Sequence, residues 1–470
     1  MDRRTLLLAG LSAIPACLLP KTNAQNLSVE KVSILVVGSG AAGLSAALSS
    51  LESGAKSVLI IEKLPYVGGH SIFSSGSVAS ESTRDGIASM IYDMIMAGDG
   101  KNNPALVRTL CENSHAARMW LASYGLIWKL DPFQAVGSTA IRCYSTGSAQ
   151  AGYDYIQLLN ETARRYGAQI RFRTQATALI YDDDPIRVTG ALVQNPDGTR
   201  SIIQSQAVIL ATGGFQASQT MRRRFCPKIQ ADMKTTANPN GTFLDGATGD
   251  GIEMAERLQA KLTDMQNVQI LPFSGGRLLD YAGGEVWINA LGKRFVNEGS
   301  VSFSKLYDVI VKQPDQIMWA ISDSKSKKGA TLGTKLHSGI VKRANTVEEM
   351  AYAMEIPSTV LKKTLDNYNR YAVNNFDGDF DCPMRAETID TPPFYFGQET
   401  FSLHYCCGGL AIDTSARVLN IENNGITGLY ACGEVTGGVH GADRLGGHGL
   451  IDCFVFGRIA GKNATRFSSI

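Results

Sequence analysis

The sequence predicts an α/β fold: a domain built on a parallel sheet and split by an inserted α+β segment. Three observations predict it. A nearly continuous apolar run, Val32-Ser33-Ile34-Leu35-Val36-Val37, leads into Gly38-Ser39-Gly40-Ala41-Ala42-Gly43. A second apolar strand, Ser57-Val58-Leu59-Ile60-Ile61, ends on Glu62. From about Asn267 to Asp390 glycine runs vanish and charged amphipathic segments take over. Unbroken rather than alternating hydrophobicity marks strands buried on both faces. A chain of 470 residues, 44% of them hydrophobic, is long enough to form more than one core.

The first strand, the glycine turn, a helix over Leu44–Leu51 and the second strand form one strand–turn–helix–strand unit. Glu62 lies about 20 residues beyond the glycines, the spacing of a dinucleotide fingerprint. Gly38 permits the tight turn, Gly40 lets a pyrophosphate approach the backbone, and Gly43 lets helix and strand pack closely. The helix N-terminus then offers free N–H groups and its positive dipole end to phosphates, and Glu62 accepts from ribose hydroxyls. A second glycine-rich loop follows, Gly68-Gly69-His70-Ser71 with Gly76-Ser77. Helices are expected over Pro104–Tyr124 and Tyr153–Tyr166, and strands over Gln169–Arg173 and Thr177–Tyr181. A hairpin turn is expected at Gln194-Asn195-Pro196-Asp197-Gly198. Ala207–Ala211 reads as a buried strand ending at Thr212-Gly213-Gly214, and Thr248-Gly249-Asp250-Gly251 opens a helix to about Ala260. Within the charged region, Thr346–Glu355 and Ser358–Asn374 are amphipathic. After about Thr391 the glycine motifs return, and a last helix is expected from Gly449 through Arg458. The organisation is therefore a dinucleotide-binding domain over 32–266 and 391–470, interrupted by a mixed domain over 267–390.

A net charge of +2 gives no basic surface for nucleic acid. The nine cysteines include no Cys-x-x-Cys pair, so the chain carries no haem-attachment, iron–sulfur or zinc spacing. Cys406-Cys407 are read as core or site-lining residues. Residues 1–24 read as a twin-arginine-type signal peptide, with Arg3-Arg4 before an apolar stretch from Leu6 to Leu19 that is too short for stable membrane insertion. The other reading of this stretch is a buried helix.

The motifs Val37–Gly43, Ala211-Thr212-Gly213-Gly214, Thr248-Gly249-Asp250-Gly251 and Gly433–Gly447 (GEVTGGVHGADRLGG) together resemble the flavoprotein part of flavocytochrome c and soluble fumarate reductases and of urocanate reductases. Asn289–Glu298 resembles that family's capping-domain hairpin, and the likeness covers roughly residues 32–465. It implies a Rossmann-like FAD-binding domain with an inserted α+β capping domain, as a haem-free flavin subunit. By position, Gly38, Gly40, Ala42, Gly43, Glu62 and Lys63 would hold the ADP half of FAD. Gly69, His70, Ser71, Gly76 and Ser77 would form a second contact loop. Ala176, Thr212, Gly213 and Asp250 would line the middle, and Glu434, Gly449 and Leu450 would reach the ribityl chain and ring. His70 stands where the related succinate dehydrogenases carry a histidine bonded to the flavin and the soluble enzymes usually carry asparagine. Non-covalent FAD is the preferred reading, and a covalent link through His70 is the alternative.

The resemblance also implies hydride transfer from flavin to an activated C=C bond, with arginines and histidines clamping carboxylates and an arginine giving the proton. Arg444 matches the substrate-carboxylate arginine. The first substrate histidine is replaced by Leu271, the second by Tyr405 in His404-Tyr405-Cys406, the proton-donating arginine by Ser302 or Phe303, and its relay partners by Tyr281 and Leu278. One clamp therefore remains among apolar and aromatic replacements. The expected substrate is a monocarboxylate with a less polar tail, such as an aryl acrylate, with His404, Tyr405, Leu271 and Phe303 beside Arg444. Tyr405 is the expected acid, with Tyr281, Tyr307 and Lys305 in reserve. Electrons would come from a separate c-type cytochrome or another donor in the periplasm, as in anaerobic respiration. A dehydrogenase running in the opposite direction and a non-catalytic flavin electron carrier are the alternatives.

Overall fold

The computed structural model describes residues 27–468 apart from 136, 149, 184–185, 230–231, 240, 273–274, 280–282, 300–302, 329–331 and 383–386. The expected signal at 1–24, Tyr281 and Ser302 lie outside the described residues, as does the side chain of Phe303. Among the described residues no helix is long and apolar enough to cross a membrane.

An eight-stranded sheet organises the larger domain. Its parallel centre takes Gln169–Arg171, Val58–Ile61, Ser28–Val37, Arg200–Leu210 and Gly425–Ala431 in that order. Ile34, Leu35, Val36, Leu59, Ile60, Val208 and Ile209 are buried, as strands covered on both faces require. Gln175–Asp183, Ile186–Gln194 and Arg200–Leu210 form an antiparallel meander. Its turn is the expected one, with the Asn195 N–H donating to the Thr199 carbonyl. The strand Gly425–Ala431 lies far along the chain, yet it completes the same sheet.

Helix Ala41–Glu52 packs along helix His448–Ser468. The latter runs well past the expected end at Arg458. Ala460, Gly461, Ala464 and Thr465 continue its buried face, and a Cβ on Gly461 would stand 2.2 Å from the Ala46 carbonyl oxygen. Glycine there lets two helix backbones meet.

The inserted domain has its own four-stranded antiparallel sheet of Glu285–Asn289, Met318–Ser322, Phe394–Gln398 and Lys342–Ala344. Helices Val347–Ala353 and Ser358–Asn374 cover it through a separate core that includes Ile288, Ile321, Leu361 and Tyr368. Phe394–Gln398 pairs here, so the insertion extends beyond the expected boundary at Asp390. The capping hairpin closes where the Asn289 N–H donates to the Lys293 carbonyl, and Arg294 is pinned by Glu298 and Asp377, each at 2.7 Å.

The two passages between the domains lie side by side. Val268–Leu271, leaving the first domain, pairs antiparallel with Ser402–Cys406, returning to it, with Gln269 opposite Tyr405. This ribbon brings side chains from both crossings to one place.

Candidate active site

One cavity of about 1680 Å³ runs from the first glycine turn, past the ribbon, to the inserted domain. That exceeds the roughly 300–1,000 Å³ of an ordinary small-ligand pocket and suits a dinucleotide with room beyond it. Gly38, Gly40, Ala42, Glu62, Lys63, Gly69, His70, Ser71, Gly76, Ser77, Ala176, Thr212, Gly213, Asp250, Glu434, Gly449 and Leu450 all line it. Gly43 does not: a Cβ there would lie 2.0 Å from the Gly38 carbonyl oxygen, so its role is close packing beneath the turn.

The phosphate end follows from the turn. Gly38 takes φ +104°, and a Cβ would meet the Ala211 carbonyl oxygen at 2.3 Å. The helix beginning at Ala41 has no side-chain cap, so its N-terminus faces the cavity with donors for an anion. Glu62 accepts from Ser39 N–H at 3.0 Å, Ser39 Oγ at 2.7 Å and Leu64 N–H at 2.9 Å, which fixes its carboxylate at the end of its strand. Lys63 pairs with Asp250 at 3.0 Å on the cavity wall. Burial would raise the Asp250 carboxyl, but Lys63 and its hydrogen bonds hold it below the usual range. Gly449 and Leu450 stand in the first turn of helix His448–Ser468, a second helix start facing the same space. The donor set fits FAD.

His70 is held from both sides. Its Nε2 lies 2.5 Å from Asp245 Oδ1, and its Nδ1 lies 3.1 Å from Gln216 Nε2. Gln216 Nε2 also donates to Glu434 Oε1 at 2.9 Å, which accepts the Cys406 N–H at 2.8 Å as well. Burial alone would lower the imidazole pKa, but the Asp245 hydrogen bond and charge raise it. Burial pushes the Asp245 carboxyl up, yet His70 brings it down to about 2. Nδ1 accepts from the Gln216 amide and Nε2–H donates to Asp245, so both ring nitrogens are engaged.

At the far end stands Arg444. Its loop is stitched to the loop before helix Pro104–Ser123. Asn103 N–H donates to Gly438 O at 2.7 Å, Ala442 N–H to Gly98 O at 3.0 Å, and Asn102 Nδ2 to Val439 O at 3.0 Å. Arg444 Nη1 donates to Leu445 O and Nη2 to Gln269 Oε1, both at 2.9 Å, and the guanidinium lies over the Tyr405 ring at 5.0 Å. Among the described residues it forms no ion pair, and its buried Nε has no partner. A charged fork held rigid on a cavity wall without a counterion is a carboxylate receptor. Leu271, Leu278, Leu279 and Pro272 line the neighbouring wall.

The geometry alters the expectation for Tyr405. Its ring lines the cavity, but its hydroxyl is 3.3 Å from the buried Asp452 Oδ2, which His440 also contacts. Burial and the Asp452 and Glu434 charges push its pKa well above the phenol range. A phenol bonded to a buried carboxylate is a structural tie and a poor acid. His404 lines the cavity with Nδ1 on Thr236 Oγ1 at 2.8 Å; burial, then the Arg444 and His70 charges, hold it neutral. Lys305 lines the cavity but is exposed, and Tyr307 lines a separate cavity.

Several site residues escaped the sequence. Gln269 is buried, grips Arg444 and donates to Asp443 Oδ1 at 2.7 Å and Arg444 O at 2.9 Å. Arg277 and Lys335 reach the cavity from the inserted domain. Arg277 is already engaged: Nη2 donates to Leu279 O at 3.1 Å, Nε is 3.6 Å from Glu285, and the guanidinium lies 4.8 Å over Trp287.

The family model described as FAD binding domain matches residues 33–450. The chain is 34% identical to a probable fumarate reductase of Shewanella frigidimarina, over 93% of this chain and 75% of the relative. It is 32% identical to a urocanate reductase of Eggerthella lenta, over 92% and 74%. It is 28% identical to an acrylate reductase flavoprotein subunit of Shewanella woodyi, over 97% and 95%. Among solved structures, an open flavocytochrome c3 fumarate reductase superposes with a TM-score of 0.78 at 32% identity, over 93% of this chain and 79% of that one.

Proposed function

The chain belongs to the FAD-binding family of fumarate, urocanate and acrylate reductase flavoproteins, FAD-dependent oxidoreductases acting on CH–CH groups, and from that premise we propose that it reduces the C=C bond of an unsaturated monocarboxylate. The observation that carries this reading is Arg444, a fixed guanidinium without a counterion among the described residues. A second carboxylate would find no second guanidinium without an ion pair among them: the Arg277 charge already faces Glu285, and Leu271, Pro272, Leu278 and Leu279 line the adjoining wall. The Shewanella woodyi relative, which matches this chain over nearly its whole length, is named for acrylate.

FAD, held by residues such as Gly38, Gly40, Glu62 and Glu434, would supply the hydride for the alkene carbon β to the carboxylate. The chain's part is to hold the acid and stabilise charge. Arg444 draws electron density toward the carboxylate as the β-carbon receives hydride, and its rigid support means no donor must reorient at that moment. Gln269 keeps the guanidinium in plane. The leucine wall excludes water and accepts an apolar tail. The His70–Asp245 pair, with both imidazole nitrogens bonded, supports a non-covalent flavin, so acid-precipitated holoprotein should release its colour to the supernatant. The Arg3-Arg4 motif supports export through the twin-arginine pathway to the periplasm, with a c-type cytochrome or other separate donor returning electrons.

The test is anaerobic reoxidation of chemically reduced holoprotein by fumarate, urocanate, acrylate, methacrylate and cinnamates, followed by flavin absorbance. Fast reoxidation by a monocarboxylate and slow reoxidation by fumarate is expected. Fumarate as the fastest oxidant would overturn the single-clamp reading.

A further inference from the structure

Addition of hydride to the β-carbon leaves the α-carbon in need of a proton, and the geometry above removes Tyr405 as its source. Other cations on the cavity wall are accounted for: Arg444 is the receptor, Lys63 pairs with Asp250, and Arg277 is spread over Leu279, Glu285 and Trp287. Lys129, Lys305 and Lys327 are exposed, whereas Lys335 is half-buried. Lys335 Nζ donates to the Arg277 carbonyl at 2.5 Å, beside Leu278 and Leu279 on the leucine wall.

A second cavity of about 840 Å³ is lined by Asp232, Tyr307, Asp315, Thr400 and Ser402 among others. Lys335 is the residue common to both linings among the described residues. The Arg277 peptide that holds the ammonium through its carbonyl is itself held through its N–H by Glu399, at 3.0 Å. Glu399 also accepts from Gly275 N–H at 2.9 Å and Thr400 N–H at 3.1 Å, so the ammonium's anchor is fixed.

We propose that Lys335 is the proton donor of the reaction and that the second cavity is the solvent route that reprotonates it. This rests on the reductase reading above. The π bond breaks, the β-carbon gains the hydride with its electron pair, and the α-carbon takes a proton from the Lys335 ammonium. The resulting amine regains a proton from water in the second cavity. The two electrons come from reduced flavin, which ends oxidised.

The test uses FAD-loaded, chemically reduced full-length protein, with whichever of acrylate, methacrylate and cinnamate reoxidises the parent fastest. Lys335→Met should slow single-turnover reoxidation at least about 100-fold, the scale of a lost general acid. Lys335→Arg should recover at least tenfold of that loss, about 1.4 kcal/mol. Reoxidation by ferricyanide, which takes electrons and needs no proton, should be unchanged in both. Thr400→Trp, which narrows the second cavity, should leave single turnover intact. It should slow steady-state turnover with reduced methyl viologen at least threefold. Lys335→Met within threefold of the parent, or an equal loss with ferricyanide, overturns the donor assignment. Thr400→Trp without a steady-state effect overturns the route. If no acid reoxidises the parent, the reductase reading itself fails.

Discussion

Replacing Arg444 separates its charge from its shape. A guanidinium carries five N–H donors. Two are committed, to Leu445 O and Gln269 Oε1 at 2.9 Å, and Nε–H is buried, which leaves one hydrogen on each Nη for a substrate. Lysine offers three donors, and satisfying the same two protein acceptors leaves one. Arg444→Lys therefore keeps the charge but loses about one charged hydrogen bond to the carboxylate, worth roughly 1.5–3 kcal/mol, or about 10- to 150-fold in the second-order rate of reoxidation by acid. Arg444→Ala loses both arms of the fork, about 3–6 kcal/mol on the same basis, or about 10²- to 10⁴-fold. The assay is anaerobic stopped flow of reduced, FAD-loaded variants over a range of acrylate concentrations, with thermal midpoint and flavin content as controls. The corresponding amide has no carboxylate and should show little difference between the parent and the Arg444→Lys variant. If Arg444→Ala, with full flavin, were reoxidised by every active acid within threefold of the parent, the receptor assignment would be refuted.

Other outcomes follow from the same geometry. Tyr405→Phe should keep the reoxidation rate within about threefold while losing roughly 1–3 kcal/mol of stability, because Asp452 loses a buried donor; a rate loss beyond 100-fold would restore the hydroxyl as the acid. Gln269→Leu keeps the volume but removes one hydrogen bond each from the guanidinium and from Asp443, and should cost about tenfold in acid reoxidation with ferricyanide oxidation unchanged. Asp245→Asn should flatten the pH dependence of the thermal midpoint. In the parent the His70 pKa stands above its ordinary 6.5, so its stabilising contribution is full below that value and is lost as pH rises through the raised folded pKa. A parent midpoint that does not fall across that window, or a variant that falls equally, would refute the Asp245-raised pKa of His70.

The parts of the molecule that the sequence made legible are those where one short segment contains its own reason. The turn Gly38–Gly43, its flanking strands and Glu62 declare themselves because steric demand, burial and charge act within one βαβ unit. The catalytic end is assembled differently. Gln269 meets Arg444 across 175 residues of chain, and Tyr405 finds Asp452 across 47. Nothing local in Gln269-Ile270-Leu271-Pro272 says that its first side chain will grip an arginine. The same limit explains the boundary at Asp390: Phe394–Gln398 has no motif of its own and becomes a cap strand only through pairing with Met318–Ser322 and Lys342–Ala344. Reading substitutions by position made the site look emptied of polar groups, since Leu271, Leu278 and Tyr405 replace expected partners. The fold then supplies Arg277 and Lys335 from neighbouring positions in the inserted domain. A cavity at a domain junction can change which element supplies a cation while keeping the cation, because electrostatic work depends on where the charge sits and on its surroundings. Loss of a motif residue is therefore weak ground for loss of the chemistry until the walls from both domains are in view.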